Sequence, residues 1–519
     1  MTTAQNERVA TGGAVRHADA GRTGVWHADW LVAFGPDVDH LGFAGQGRRW
    51  RSRMTTLAVA RLEGSDIRIA EDQRYVVLFS GLLTNASELD PAATQDDAAA
   101  LVLGLIASHG ADAFGSLRGP FAVLAWDRAE EKLLVGRDQI GLGALFYARS
   151  GSEGWLLSAS PDVLASQPGV SRDPDAVALS EWLCGWFPAV EDTAYREVKR
   201  VPPGHAITLQ GAAATVYRYW DPLPDDEDVQ WLREEDLDAF EPMLNRAVNR
   251  STQGLSPAVL LSGGVDSISV ALAAADLARE AGVEPPLALS LVFPDGESNE
   301  ESIQAGVARQ LGLEQIMVPF EEAAGPQGLL SAAMSQSASW PQPMWNLWSP
   351  AYMTLARHAA SRGRRVILTG RGGDEWLTIS SYLLADQLKR GDVMGAWRLL
   401  QMRRRSNNLT RPADVARLLW MTAGRPLASA ALDYIAPVAW HQRRRRRLLA
   451  ERPDWIAADP AIRRAMDDRI DRWIDPARPK GGFYHREGQT AIRHPAISHD
   501  MEETQEFGRR LGSRVMHPY

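Results

Sequence analysis

Short apolar runs set off by polar turns occupy the first two fifths of the chain. Ile67–Ala70 and Tyr75–Gly81 read as strands between turns. Asp96–His109 (DDAAALVLGLIASH) carries an apolar face at helical spacing. Gly119–Asp127, Lys132–Arg137 and Ala144–Tyr147 follow as strand-like runs, then Trp155–Ser160 and two helical stretches. This order predicts an α+β layer built from antiparallel hairpins. Val201–Leu209 closes it with a turn and a strand. The polar residues 1–22 read as a flexible arm, so the first domain spans 23–221. Asp221–Asp228 (DPLPDDED) is rich in proline and acid and has no period, which makes 222–236 a linker.

From Leu237 helices alternate with continuous apolar strands: Ala258–Leu261, Leu287–Phe293, Gln315–Val318 and Val366–Thr369. Unbroken apolar strands separated by helices predict a parallel sheet covered on both faces. After Asp374 the chain reads as mostly helical and arginine-rich, so 237–519 forms a second domain with a helical C-terminal part. A length of 519 residues at roughly 150 residues per domain allows roughly two to four domains, a range that includes these two.

Composition narrows the function classes. With 45% hydrophobic and 23% charged residues, disordered and collagen-like chains are excluded. One cysteine, Cys184, excludes a disulfide framework, a zinc knuckle or an iron–sulfur cluster, and suggests a reducing compartment. A net charge of −9 argues against a general nucleic-acid binder. The N-terminus lacks an apolar signal core and no run of about 20 apolar residues appears, so neither a secretory signal nor a membrane partner is expected and the cytoplasm is the expected address. The lysines are only Lys132, Lys199, Lys389 and Lys480, which leaves few candidates for any step that needs one.

The sharpest local feature is Leu261-Ser262-Gly263-Gly264-Val265-Asp266-Ser267, between a buried strand and the alanine-rich helix Ile268–Ala281. The glycines let the backbone turn tightly against a ligand, and the helix N-terminus favours an anion there. Asp266 would repel a bare phosphate but suits one bridged by magnesium. A capped strand-to-helix turn would also explain a bare Ser-Gly-Gly. The loop is neither a Walker A loop nor the dinucleotide fingerprint.

On these residues the loop resembles the pyrophosphate loop of the ATP pyrophosphatase superfamily, and the chain from about residue 25 onward resembles the asparagine synthetase family. Leu368–Glu375 (LTGRGGDE) is similar to that family's second loop, and both loops lie at strand carboxyl ends, where ligands of such sheets bind. Gly81, Asn85, Leu117–Asp127, Gly136–Asp138 and Val201–Gly204 resemble stations of its glutaminase domain. The resemblance implies a glutaminase-like (Ntn-type) αββα sandwich followed by an adenine-nucleotide α-hydrolase-like domain. It implies ATP and Mg2+, with Asp266 and Asp374 as metal carboxylates. Leu261, Ser262, Gly263, Gly264, Ser267, Val292, Thr369, Gly370 and Gly372 would border the nucleotide, and Arg371 and Glu375 would join the two aspartates as catalytic candidates.

Three departures qualify the resemblance. The family's glutaminases use an N-terminal cysteine, whereas Thr2 follows Met1 here and Cys184 reads as a buried structural thiol in the helical stretch Leu179–Trp186. Glutamine hydrolysis is therefore expected to be lost. Arg371 stands where asparagine-forming members keep a glutamate; it cannot act as a base but can hold a phosphate or carboxylate bidentately. β-Lactam synthetases and lasso peptide cyclases also vary here and lack the cysteine. Finally, Arg514–Tyr519 resembles a family strand after which further helices carry a lysine, and the chain stops at Tyr519. An arginine or Lys480 would have to replace that lysine. The expected reaction is adenylation of a small-molecule or peptide carboxylate, then amide or lactam formation with an amine, with a leader-peptide protease or recognition protein as a further partner. An ammonia-using asparagine synthetase and a non-catalytic nucleotide- or partner-binding homologue are the alternatives. Trp340–Trp348 reads either as a substrate wall or as packing. Arg403–Arg405 and Arg443–Arg447 read as solvated faces, His494 and His499 as ordinary polar residues, and Glu300 and Glu301 as partners of a helix dipole.

Overall fold

The computed structural model describes residues 30–36, 38, 46–61, 67–223, 233–340, 342–377, 380, 382–474 and 481–519. The expected arm over 1–22, most of the expected linker and Lys480 lie outside the described residues.

Period-two alternation builds the first domain. Residues 30–218 form two six-stranded antiparallel sheets. One runs, in spatial order, Val198–Arg200, Phe146–Ser150, Gly154–Ser158, Trp30–Gly35, Thr56–Arg61 and Gln46–Arg51. The other runs Ala213–Arg218, His205–Gln210, Lys132–Arg137, Phe121–Asp127, Tyr75–Gly81 and Arg68–Glu71. Val32, Phe34, Leu57 and Val59 face Leu78, Leu124, Trp126 and Val135 in the dry layer between the sheets. The alternate residues Val77, Phe79 and Val123 point the other way, beneath Val102 and Ile106 of the helix Ala98–His109. Leu164 and Ala165 of the helix Pro161–Ala165 cover the opposite outer face. Because strand side chains alternate, each sheet feeds two cores and a helix closes each outside. The result is the expected αββα sandwich. The stretch Gln95–Ser116 has the length and hydropathy of a membrane span. Its α-helical part is only Ala98–His109, roughly 18 Å at 1.5 Å per residue, and one face lies on the sheet.

The second domain holds a five-stranded parallel sheet in the order Gln315–Pro319, Leu287–Val292, Ala258–Leu260, Val366–Leu368 and Arg514–Met516. Val259 pairs with Ala288 on one side and Leu368 on the other. The helices Val265–Ala281 and Phe240–Thr252 cover one face through Val270, Ala271, Ala274, Leu244 and Val248. Ala356 of Ser349–Ser361 and Phe507 of Pro495–Arg510 cover the other. The last strand enters only after a helical excursion from Leu383 to Arg510 with its own core of Leu384, Leu399, Leu400 and Phe483. The architecture is mixed α/β, with an N-terminal amidotransferase-like sandwich and a C-terminal parallel sheet.

The domains meet at a buried charge cluster. Arg137 and Arg200, from different sheets, are fully buried and share Glu502 Oε1 at 2.9 and 2.7 Å. Glu502 belongs to the helix Pro495–Arg510 of the second domain.

Candidate active site

Leu261 leaves the strand Ala258–Leu260 with its N–H on Leu289 O at 2.8 Å, and the helix Val265–Ala281 starts four residues later. Ser267 is buried and ties this turn from within. Its Oγ accepts the Ser262 N–H at 3.1 Å, lies 2.9 Å from Ser262 Oγ and donates to Gly264 O at 3.0 Å. Ser267 thus shapes the loop, while Ser262 and Gly264 remain exposed at the helix N-terminus. The Gly263 N–H donates to Glu300 Oε2 at 2.7 Å. Glu300, read from sequence as a partner of its own helix dipole, instead precedes the helix Glu301–Leu311 and places a carboxylate on the glycine loop.

The second loop leaves the strand Val366–Leu368. Thr369 donates its N–H to Met516 O at 3.1 Å, and its Oγ1 lies 2.6 Å from His517 Nδ1 and accepts the Arg371 N–H at 3.2 Å. Gly372 donates to Glu375 Oε2 at 3.0 Å. Two glycines let the loops touch. A β-carbon on Gly370 would lie 2.5 Å from Ser267 N, and one on Gly373 would overlap the Asp266 carboxylate. Gly372, at φ +102°, passes so close to Tyr519 that a β-carbon would stand 2.7 Å from it. Asp374 and Glu375 open the short helix Gly373–Leu377 and are exposed. Burial, then the charges of Asp374 and Glu375, raise the Asp266 carboxyl above its ordinary value. Leu261 is buried beside these loops, and Val292 ends the neighbouring strand half-buried.

Asp266 lies within electrostatic reach of Asp374 and Glu375. Among the described residues no cluster of three His, Cys, Asp or Glu side chains could cage a metal alone. Magnesium held by one or two carboxylates and completed by phosphate oxygens and water fits this donor set.

Residues that local sequence pattern did not reveal complete the mouth of the site. Arg371, read as open to a phosphate or carboxylate, forms an ion pair with Asp500. Asp500 is buried on the helix Pro495–Arg510 and accepts from Asn346 Nδ2 at 3.1 Å. Three residues on, Glu503 accepts the N–H groups of Trp345 and Asn346 and the Ser349 hydroxyl. Burial pushes the Glu503 carboxyl up to about 7. His517 is pushed down to about 3 by burial and by the Arg371 charge. No motif signals Asp500 or Glu503, which arrive from chain more than a hundred residues downstream, whereas His517 lies within the run Arg514–Tyr519 already read as a strand.

Several other sequence readings are sharpened. Trp340 packs in the core under the Arg510 guanidinium, whereas Trp345 meets Phe187 at the domain boundary and Trp348 joins Phe293 and Phe320. His499 is no ordinary polar residue. It is buried beside Trp182, with Nδ1 3.3 Å from Arg200 Nη2. His494 caps the helix Pro495–Arg510 by accepting the Ala496 N–H at 3.2 Å. Cys184 is half-buried at the C-terminal end of Ala176–Leu183 rather than inside a helix. Lys199 is engaged by Asp192 at 2.7 Å.

Comparison with known proteins agrees with this architecture. A glutamine amidotransferase domain model matches residues 28–220, and an asparagine synthase model matches residues 239–473. The amidase chyE of Penicillium rubens is 28% identical over 61% of this chain and 47% of its own length. Glutamine-hydrolysing asparagine synthetase 1 of Bacillus subtilis is 24% identical over 66% of this chain and 54% of its own. The carboxyethyl-arginine beta-lactam-synthase of Streptomyces clavuligerus is 30% identical over 35% and 33%. The chain spans less than half the length of the fungal amidase relative. A glutamine amidotransferase domain followed by an asparagine synthase domain, each matched by its own model, is the order consistent with the asparagine synthetase family.

Proposed function

We propose that this chain is an ATP-dependent, AMP-forming ligase that adenylates a carboxylate and joins it to an amine without hydrolysing glutamine. The observation that carries the reading is the closure of two strand-end loops on each other, which places Asp266, Asp374 and Glu375 together at a helix N-terminus. Asp266 and Asp374 would hold magnesium, which offsets phosphate charge when bound. The exposed Ser262 and Gly264 and the helix N-terminus orient the β- and γ-phosphates, and Leu261, Thr369 and Gly370 border the AMP half. A carboxylate oxygen of the substrate attacks the α-phosphorus and pyrophosphate leaves. The amine nitrogen then attacks the acyl carbon, loses its proton, and AMP departs. Fixed dipoles aimed at the developing charge supply the electrostatic part of the acceleration.

Two observations favour an amine other than glutamine-derived ammonia. Trp30 heads the first described strand, where its indole N–H donates to Ser80 Oγ at 3.0 Å between the sheets. Cys184 follows the helix Ala176–Leu183 and is no member of that layer. The match to a β-lactam synthase and the Arg371–Asp500 pair support an amine carried by a peptide or amino-acid-derived substrate, as in macrolactam formation. A leader-peptide protease or recognition protein is then the natural partner and the cytoplasm the site of action.

Pyrophosphate-dependent exchange of label into ATP, scanned over pooled carboxylates and peptides, tests the reading. Exchange is expected with at least one pool and should fall about a hundredfold or more in Asp266→Ala and Asp374→Ala, the scale of losing a main electrostatic contact. Exchange unaffected by both variants would refute it. Exchange with aspartate followed by ammonia capture would instead identify an asparagine synthetase.

A further inference from the structure

A cavity of about 150 Å³ lies between the domains, and its wall includes Arg371, Gly372 and Glu375 of the second nucleotide loop. The first domain contributes Ile140, Pro203 and Trp220, and the second contributes Trp376, Ile497 and Met501. A void of this size lined by apolar groups takes one benzene-sized ring. Asp221 and Arg371 in the wall are already paired, whereas among the described residues Glu375 accepts only the Gly372 N–H at 3.0 Å. Asp221 accepts from Arg218 at 2.7 Å and from Arg493, and Arg371 is held by Asp500. Two buried polar atoms in the same wall have no partner: Ser498 Oγ and His517 Nε2. Ser498 is 2% exposed. A buried hydroxyl or ring nitrogen left unpaired has lost its water with nothing in exchange, so both atoms call for a polar guest.

We infer that this cavity binds the amine substrate by an aromatic or branched apolar group, with its nitrogen between Ser498 and His517, and that the glutaminase-like domain acts as half of a specificity wall. The inference rests on the ligase reading for the identity of the amine as second substrate. A neutral amine both donates and accepts, so it satisfies a hydroxyl and either tautomer of a neutral imidazole. Burial lowers the titration of His205, His494 and His517 alike, and such a wall also keeps an amine uncharged, with the lone pair needed for attack. The Arg371 end of the cavity directs the nitrogen toward the loop that borders the AMP half.

Isothermal titration calorimetry of the full chain without ATP, near pH ~8.5 where a larger share of an amine is neutral, provides the test. 2-Phenylethylamine and 3-methylbutylamine are the probes, with ethanolamine and ammonium chloride as polar controls. The apolar amines are expected to bind at least tenfold more tightly than ethanolamine. Ile140→Trp, which fills the cavity from the first domain, should weaken 2-phenylethylamine at least tenfold. The half-exposed Trp220→Leu should weaken it severalfold, and it carries the test if the larger side chain impairs folding. Equal binding of ethanolamine and 2-phenylethylamine, or unchanged affinity in a folded wall variant, overturns the inference. The measurement uses no nucleotide, so it fails independently of the exchange assay. Amine binding without exchange sinks the ligase reading alone, and exchange without selective amine binding sinks this inference alone.

Discussion

Glu503 shows how a single residue can carry chemistry that its neighbours in sequence do not announce. It sits in the run His499–Gln505, where it looks like one more surface acid on a helix. In the fold it is buried, takes two backbone N–H groups, and is pushed up to about 7. A carboxyl whose folded value is raised contributes stability fully present below its unfolded value of about 4.3 and lost as pH rises through about 7. Glu503→Gln should therefore gain on the wild type between pH ~5 and ~8, by up to about 3 kcal/mol, since each tenfold change in proton affinity is worth about 1.4 kcal/mol. Thermal melts of both proteins across that range check it. A difference in melting temperature that stays flat would show that Glu503 is already ionised at low pH. By contrast, Asp266 and Asp374 were legible because each belongs to a local turn whose glycines and flanking strand are contiguous in sequence. Asp500 was not, and the contacts of Glu300 and His517 with those turns were not, because tertiary packing alone makes them.

Elements were legible wherever their period was long and unbroken. The alternation in Tyr75–Gly81 and Phe121–Asp127 and the apolar run Leu287–Val292 stand in the structure within a residue or two of expectation. The run Ala144–Tyr147 was displaced, and its strand is Phe146–Ser150, because pairing with Gly154–Ser158 rather than hydrophobicity fixes its start. The helical excursion hid its tertiary joints. The helix Phe483–Arg493 follows Gly482 and has no cap from its own sequence. Asp386, 97 residues upstream, accepts the N–H groups of Phe483 at 2.9 Å and Tyr484 at 2.8 Å. Gly482, at φ +104°, leaves no room for a β-carbon beside that carboxylate. Asp386→Ala should therefore cost about 1–2 kcal/mol, the scale of a lost helix cap and of stranded buried donors. Urea unfolding checks this, with Asp392→Ala as a comparison. Asp392 caps Val393–Ser406 from its adjacent position, and that exposed cap should cost about 1 kcal/mol.

At the scale of the whole molecule the sequence said nothing of how the antiparallel sandwich and the parallel sheet are held together. The lock is Glu502, and its partners are two arginines from the two sheets of the first domain. Arg200 also reaches the other Glu502 oxygen at 3.0 Å, and Gln342 donates to that oxygen at 3.3 Å. Arg200 further holds the carbonyls of Val190 and Asp192, so the cluster is hydrogen-bonded well beyond one ion pair. Removing one member of such a buried set costs more than the pair contributes, because the remaining charges keep their desolvation penalty with no counterion; the loss is about 3–5 kcal/mol. Glu502→Gln should thus loosen the boundary before it unfolds either sheet. Calorimetry is expected to show one cooperative transition in the wild type and two in the variant, the first for separation and melting of the less stable domain. Glu506→Gln removes a partly buried carboxylate that pairs with Arg509 and Arg510 one turn away on the same helix and, among the described residues, with no arginine of the first domain, and it should leave a single transition. Since the interdomain cavity exists only while this boundary is closed, Glu502→Gln should also weaken apolar amine binding while ATP binding at the strand-end loops persists. Loss of both together would mean that Glu502 supports the second domain itself rather than the joint.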